Sequence, residues 1–258
     1  MLAQNHWRRA ALAASPMSPW LSGRLIAASG LALVLFLLAH LAGVAQLVLD
    51  PAGFEALAAW LHASPWLPVA ELGLALAALT HVALSLQRLL QSARARGEAG
   101  YAQRRSRRPD RLDAFASRTA PLSGSVLLLF LVVHLRQLRW QRPPAGLEAQ
   151  AVAQALSSPW ALALYLAAAV ALALHLLHGS ESAHRSLGLL EAANAARLRR
   201  GGWLLALLVG GGFALVAGLA AGAAGGLVAE AAGGLGNLGS LVGLVNLGDL
   251  SNLLGLQP

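Results

Sequence analysis

The chain has 258 residues, of which 57% are apolar and only 12% charged, with a mean hydropathy of +0.61. That balance excludes a soluble domain of this length and points to a membrane protein. All 19 basic residues are arginine and the formal charge is +8, but the arginines cluster between apolar runs, so the excess does not indicate nucleic acid. With no cysteine in the chain, disulfides, thiolate metal sites, cluster ligation and cysteine nucleophiles are excluded; metal or redox chemistry would rest on eight histidines and a few carboxylates.

A bilayer core needs about 20 predominantly apolar residues per helix, and five runs meet that length: Leu21–Leu49, Pro68–Leu90, Pro121–Trp140, Pro159–His178 and Trp203–Ala224. The first is too long for the apolar core of a signal peptide and reads as a retained span. Pro68, Pro121 and Pro159 are expected to open their helices, where proline loses only a donor that has no partner anyway. Gly218 and Gly222 in the fifth run have the small-xxx-small spacing of a close helix contact, and Gly210–Gly212 loosens that span or serves the same packing. Trp20, Trp60, Trp66, Trp140, Trp160 and Trp203 fall at or near run ends, where an amphipathic indole sits well at the headgroup level. After the fifth run, leucine recurs every third residue from Leu235 to Leu256, a period of neither helix nor strand. The expected organisation is an all-α membrane protein: segment 1–20, a five-helix transmembrane bundle over 21–224, and a Gly/Leu/Asn-rich tail over 225–258.

Segments 1–24, 88–118 and 185–200 hold 3, 9 and 4 arginines, whereas the opposite face has only Arg136, Arg139 and Arg142. Cytoplasmic loops carry the positive excess, which places the N-terminus in the cytoplasm and the C-terminus, with its tail, in the periplasm. The basic stretch from Arg94 to Arg111 is accordingly read as topogenic rather than as a phosphate site.

Ionisable side chains inside a membrane are costly and point to function. His40, His81, His134 and His175 supply one in each of the first four runs. At ~1.5 Å of rise per residue along alternating helices, His40 and His134 both lie ~20–24 Å from the inner ends of their spans, and His81 and His175 a similar distance from the outer ends. The four sort into an outer and an inner pair. Two facing imidazoles are what a six-coordinate haem iron takes as axial ligands. Zinc would be underligated by two histidines alone, while a histidine proton relay remains open.

With these residues in view, the chain resembles the five-helix, two-haem cytochrome b subunit of succinate:quinone oxidoreductases and fumarate reductases. The resemblance runs from about Gly23 to Gly188. It is carried by Gly23-Arg24-Leu25, Ser29-Gly30 and His40; by Glu71-Leu72-Gly73-Leu74 and Thr80-His81; by Ser117-Arg118-Thr119, Pro121-Leu122-Ser123-Gly124 and Phe130 to Leu135; and by Pro159-Trp160, Tyr165 and His175 to Gly179. It implies that His40 and His134 bind a distal haem b and His81 and His175 a proximal one. His178, three residues on from His175, is the rival ligand, otherwise placed near propionates or soluble subunits. Arg118 is a candidate structural or propionate contact.

The resemblance further implies a membrane anchor in a bacterial cytoplasmic membrane, in contact with lipid. It would partner a flavoprotein and an iron–sulfur subunit and pass electrons to quinone. Glu71, three residues into the second span and at the depth of the outer pair, is a candidate for quinone proton exchange, the alternative being an interfacial carboxylate paired with Arg136 or Arg139. Glu181 and His184-Arg185 depart from the family pattern, and His6, His62 and His184 are read as solvated or interfacial. Competing functions are the cytochrome b anchor of another respiratory enzyme, such as a nitrate reductase or hydrogenase, and a haem-free transporter with a histidine relay.

Overall fold

The chain's structure, a computed structural model, describes residues 17–96 and 111–222; the tail over 225–258, His6 and most of the Arg94–Arg111 stretch lie outside them. Seven helices follow in order, and no strand occurs among the described residues: α1 (Pro19–Leu49), α2 (Pro51–Ala63), α3 (Leu67–Arg96), α4 (Arg111–His134), α5 (Glu148–Leu156), α6 (Pro159–Ser186) and α7, which begins at Ala195. A π-helical turn, Leu135–Trp140, extends α4, and another, Leu207–Gly211, lies within α7, which runs on to Gly222. Helices α1, α3, α4 with its π-turn, α6 and α7 are long and apolar enough to cross a membrane.

Local chemistry sets most of the boundaries. Ser18 caps α1 by accepting from the Leu21 N–H at 3.2 Å, with Pro19 at the first helical position. Asp50 ends α1 and starts α2: its backbone N–H reaches the Gln46 carbonyl, and its carboxylate accepts from the Gly53 N–H at 3.0 Å. Pro51 then prevents α1 from continuing. Pro159 does open α6, and Pro68 stands second in α3. Pro121 differs from expectation, because α4 begins ten positions earlier and runs through it. Nearby hydroxyls bond to helix carbonyls, Thr119 to Phe115 and Ser125 to Pro121, both at 2.9 Å, as polar groups without water must.

In lipid there is little hydrophobic drive between helices, so close packing decides the assembly. The buried set is accordingly mostly alanine, including Ala27, Ala116, Ala168, Ala169, Ala171 and Ala206, while large side chains such as Leu35, Leu79 and Leu122 face outward. Helices α1 and α3 pack together, as do α4 and α6, and α1 also packs on α6; α3 and α4 scarcely touch. The fifth span, α7, lies on α6. Its close contacts are at Gly202 and Gly210: a Cβ on Gly202 would strike Ser180, and one on Gly210 would stand 2.8 Å from the Ala173 Cβ. Gly218 and Gly222 face open space, which corrects the expected contact; the glycines that meet α6 lie two turns and more before them.

The two short helices α2 and α5 pack on each other at one end of the bundle. The Glu55 carboxylate accepts from the backbone N–H groups of Glu148 and Ala149, at 3.3 and 2.8 Å, and so caps α5. Glu148 is buried, accepts from the Gly146 N–H at 2.8 Å and lies 3.5 Å from His62. The hydrogen bonds around it hold the Glu148 carboxyl below its ordinary range, against the opposing effect of burial. A depressed carboxyl contributes stability above its unfolded pKa that is lost as pH falls through the folded one. The α2–α5 cap is therefore expected to loosen below about pH 4, seen as faster amide exchange in α5 than in the spans; uniform exchange across that range would contradict it.

The two halves of the bundle also repeat. Positions 94 apart match from α1 to α4 as Arg24 and Arg118, Ser29 and Ser123, Gly30 and Gly124, Phe36 and Phe130, and His40 and His134. From the approach to α3 and to α6 they match as Ser64-Pro65-Trp66 and Ser158-Pro159-Trp160, then His81 and His175. Spans one and two thus form one copy and spans three and four another, running in the same directions, as in parallel repeats related by an axis along the membrane normal.

Candidate functional site

Each of the first four spans delivers its histidine to the bundle interior, and the structure brings them together as two pairs. The rings of His40 and His134 are 5.9 Å apart between centroids, with planes at 75°. Those of His81 and His175 are 6.2 Å apart, with planes at 70°. In both pairs the partners are equivalent residues of the two repeat copies, so the axis relating the copies passes between the rings of each pair. His178 is not the partner of His81; it sits one turn further along α6, with its Nε2 3.4 Å from the Ser182 hydroxyl.

The His40/His134 pair is the aromatic one. Phe36 stacks on His40 and Phe130 on His134, each at 5.3 Å, and Phe213 of α7 closes on His40 at 5.7 Å. His134 Nδ1 is 3.2 Å from the Tyr165 hydroxyl, which donates to Gln137 Oε1 at 3.2 Å. Since that O–H is used on Gln137, the tyrosine oxygen accepts from Nδ1–H, which leaves Nε2 as the free basic nitrogen of His134.

The His81/His175 pair is held by backbone. His81 Nδ1 lies 3.1 Å from the Ile26 carbonyl and 3.4 Å from the Ser29 hydroxyl. A carbonyl only accepts, so Nδ1 carries the proton and Nε2 is again the basic nitrogen. His175 Nδ1 lies 3.3 Å from the Ser123 hydroxyl. Gly30 gives His81 its place, since a Cβ there would stand 3.1 Å from Cε1, whereas one on Gly124 would meet His175 Cε1 at an ordinary 3.4 Å.

Two imidazoles on opposite sides of one metal, at the ~2 Å metal–nitrogen distance usual for histidine, put their ring centres ~6 Å apart. Both pairs fit that spacing. Among the described residues no cluster of three or more His, Cys, Asp or Glu could hold a bare metal ion. Each pair therefore offers two axial donors and suits a metal whose other ligands come with it, which is the chemistry of haem. The outward Nδ1 hydrogen bonds are the kind that fix the tautomer and orientation of a ligating histidine.

Glu71 lies at the same end of the bundle as His40 and His134. It forms a bidentate ion pair with Arg139 of the π-turn, Nε to Oε1 at 2.7 Å and Nη2 to Oε2 at 2.9 Å. This pair bridges α3 and α4 where those helices otherwise scarcely meet. Arg118 is exposed in the first half of α4, at the opposite end, in the same region as Arg88, which donates to the Pro19 carbonyl at 2.7 Å. Glu181, one of the departures from the family pattern, is buried and paired with Arg185 at 2.6 Å, and His184 Nδ1 lies 2.7 Å from the Ser180 carbonyl.

The sequence reading missed Tyr165 as a partner of His134, and Ser29 and Ser123 as neighbours of the other pair. The signal that finds the serines is the repeat: a Ser-Gly step stands eleven and ten residues before the first histidine of each copy.

A family model described as the succinate dehydrogenase/fumarate reductase transmembrane subunit matches residues 6–107. No curated protein and no solved structure matches the chain. The matched stretch takes in α1, α2 and α3, with His40, Glu71 and His81, and ends before the second repeat copy, which places equivalent histidines opposite them. Over residues 6–107 the chain is thus similar to the succinate dehydrogenase/fumarate reductase transmembrane subunit family, the same family that the resemblance read from the residues names.

Proposed function

We propose that the chain is the di-haem cytochrome b anchor of a succinate:quinone oxidoreductase, passing electrons between an iron–sulfur subunit and membrane quinone. The observation that carries this reading is the two histidine pairs, centroids 5.9 and 6.2 Å apart, at separate depths of one bundle. His40 and His134 would hold the outer, distal haem, and His81 and His175 the inner, proximal one. The arginine distribution supports a cytoplasmic N-terminus and an inner face on which the iron–sulfur and flavoprotein subunits dock, and the resemblance supports a bacterial cytoplasmic membrane. Arg118 and His178 stand toward that face and are the proposed contacts for haem propionates or for those subunits.

When bound, haem supplies one-electron transfer at each depth. The chain's own residues do the rest. The Nδ1 hydrogen bonds to Tyr165 and to the Ile26 carbonyl orient the imidazoles, the aromatic shell around the outer pair excludes water, and Glu71 with Arg139 offers a proton-exchanging group at the outer end. Segment 1–20, bundle 21–224 and tail 225–258 remain the proposed organisation.

The test is the reduced-minus-oxidised spectrum of the purified complex. Two b haems per chain are expected; a ratio of one removes the paired reading, and the absence of any b-type band favours a haem-free histidine relay. The near-perpendicular ring planes in both pairs also favour strongly anisotropic low-spin ferric signals by electron paramagnetic resonance. A graded pair of substitutions probes the inner site. A Cβ at Gly30 would be 3.1 Å from His81 and forces the ring to move, whereas one at Gly124 meets His175 at an ordinary 3.4 Å. Gly30→Ala is therefore expected to lower inner-haem content clearly and Gly124→Ala little; equal effects, measured by pyridine haemochrome, would contradict this geometry.

A further inference from the structure

The repeat preserves one device at the inner pair that it does not preserve at the outer one. In the first copy, His81 Nδ1 meets the Ile26 carbonyl at 3.1 Å and the Ser29 oxygen at 3.4 Å. In the second, His175 Nδ1 lies 3.3 Å from the Ser123 oxygen, and Ala120 stands at the position equivalent to Ile26. Both serines are buried, and both give their protons to helix carbonyls: Ser29 to Leu25 at 2.7 Å, with Ile26 at 3.1 Å, and Ser123 to Ala120 at 3.1 Å. Their oxygens are left as acceptors beside an Nδ1–H.

At the outer pair the copies have diverged. His134 has the Tyr165 oxygen, but the position equivalent to Tyr165 in the first copy is Glu71, which is turned to Arg139 instead. Each inner imidazole thus has the equivalent serine of the neighbouring span beside its Nδ1, His81 having the Ile26 carbonyl as well, and the outer pair has no such matched partner.

We propose that Ser29 and Ser123 are a matched pair of positioning residues that set the donor strength of His81 and His175, and through it the reduction potential of the inner haem. The proposal rests on the di-haem reading. An acceptor beside Nδ1–H pulls the imidazole toward imidazolate character, which makes Nε2 a stronger donor and favours ferric iron. Two effects compete when Ser29 is removed. Its loss takes an oxygen from Nδ1–H, and it also frees the carbonyl that the serine shares. For Ser29 the first effect prevails, because its better hydrogen bond goes to Leu25 at 2.7 Å and leaves the Ile26 carbonyl largely to His81. Removal of either serine takes an acceptor from Nδ1–H, weakens the donor and raises the potential.

The experiment is a potentiometric titration of the intact complex, wild type beside Ser29→Ala, Ser123→Ala and the double variant. The inner component is identified as the one missing from His81→Ala. The expected result is an upward shift of the inner potential in each serine variant, larger in the double variant, with the outer potential unmoved. Ser29→Cys keeps the volume with a weaker acceptor and is expected to fall between wild type and alanine, which separates polarity from packing. Should the alanine forms lose the inner haem, an upward shift in Ser29→Cys still supports the proposal. Two haems in wild type with an unmoved inner potential in Ser29→Ala or Ser29→Cys, or with both potentials shifted equally, would overturn the serine proposal and leave the di-haem reading standing. A wild-type complex without two haems removes both.

Discussion

Replacing His81 or His175 by alanine is expected to remove one haem of two per chain, the inner one, while His40→Ala or His134→Ala removes the outer one. The expectation follows from pairing: each iron would have one imidazole from each repeat copy, so losing either partner leaves a single axial ligand and an apolar void on the other side. The outer loss is expected to be cleaner. His40 and His134 are enclosed by Phe36, Phe130 and Phe213, with no other histidine one turn away, whereas the inner site has His178 on the same helix as His175. In His175→Ala, the flanking His178 is the residue that could substitute, and a residual high-spin or shifted low-spin signal would reveal it. Haem content and spectra of the four variants decide the matter. Full haem content in any one of them sinks the pairing for that site.

The five spans were legible because length and hydropathy alone set them, with little packing needed to make a helix span a membrane. The depth of each histidine followed from the rise per residue and the alternation of direction, and the structure brings together the same pairs that this arithmetic sorts. What the sequence reading did not reach has identifiable causes. Helices α2 and α5 are 13 and 9 residues long, below any search for spans, although Asp50-Pro51 is a cap and first-turn pair that marks the start of α2. Pro121 reads as a helix start because an interior proline is normally costly, yet α4 continues through it. Gly218 and Gly222 had the right spacing on the wrong turn of α7; spacing says which residues share a face but not which part of that face meets a neighbour. The 94-residue repeat is fully present in the sequence, where many of its matches are leucines of apolar spans that any two membrane helices share, so that Arg24, the Ser-Gly step, Phe36, the histidines and the Ser-Pro-Trp turns are what distinguish it.

Glu71→Gln is expected to keep both haems and lose quinone turnover by roughly 10²-fold or more, the scale of a positioned proton-transfer group. The structure gives this carboxylate a partner, Arg139, in the two-point geometry that guanidinium offers. The side chains are 39% and 41% exposed, so the pair is neither a buried charge whose rupture would unfold the site nor a solvated surface contact worth almost nothing. That intermediate setting suits exchange, because Glu71 can take up a proton only if Arg139 releases it, and the exposure leaves room for the release. The pair also stands at the side of the bundle where α3 and α4 scarcely touch, at the depth of His40 and His134. A quinone ring entering from lipid on that side would meet the guanidinium and the carboxylate before it met the haem edge. Glutamine keeps the shape and one acceptor for Arg139 but cannot carry the proton. Arg139→Lys is the companion variant: it keeps the charge and loses the fork, so it should weaken quinone binding, seen as a raised KM, more than it lowers kcat. Wild-type turnover in Glu71→Gln across pH would identify the pair as a clasp between α3 and α4, and the same variant would then show its effect in thermal stability instead.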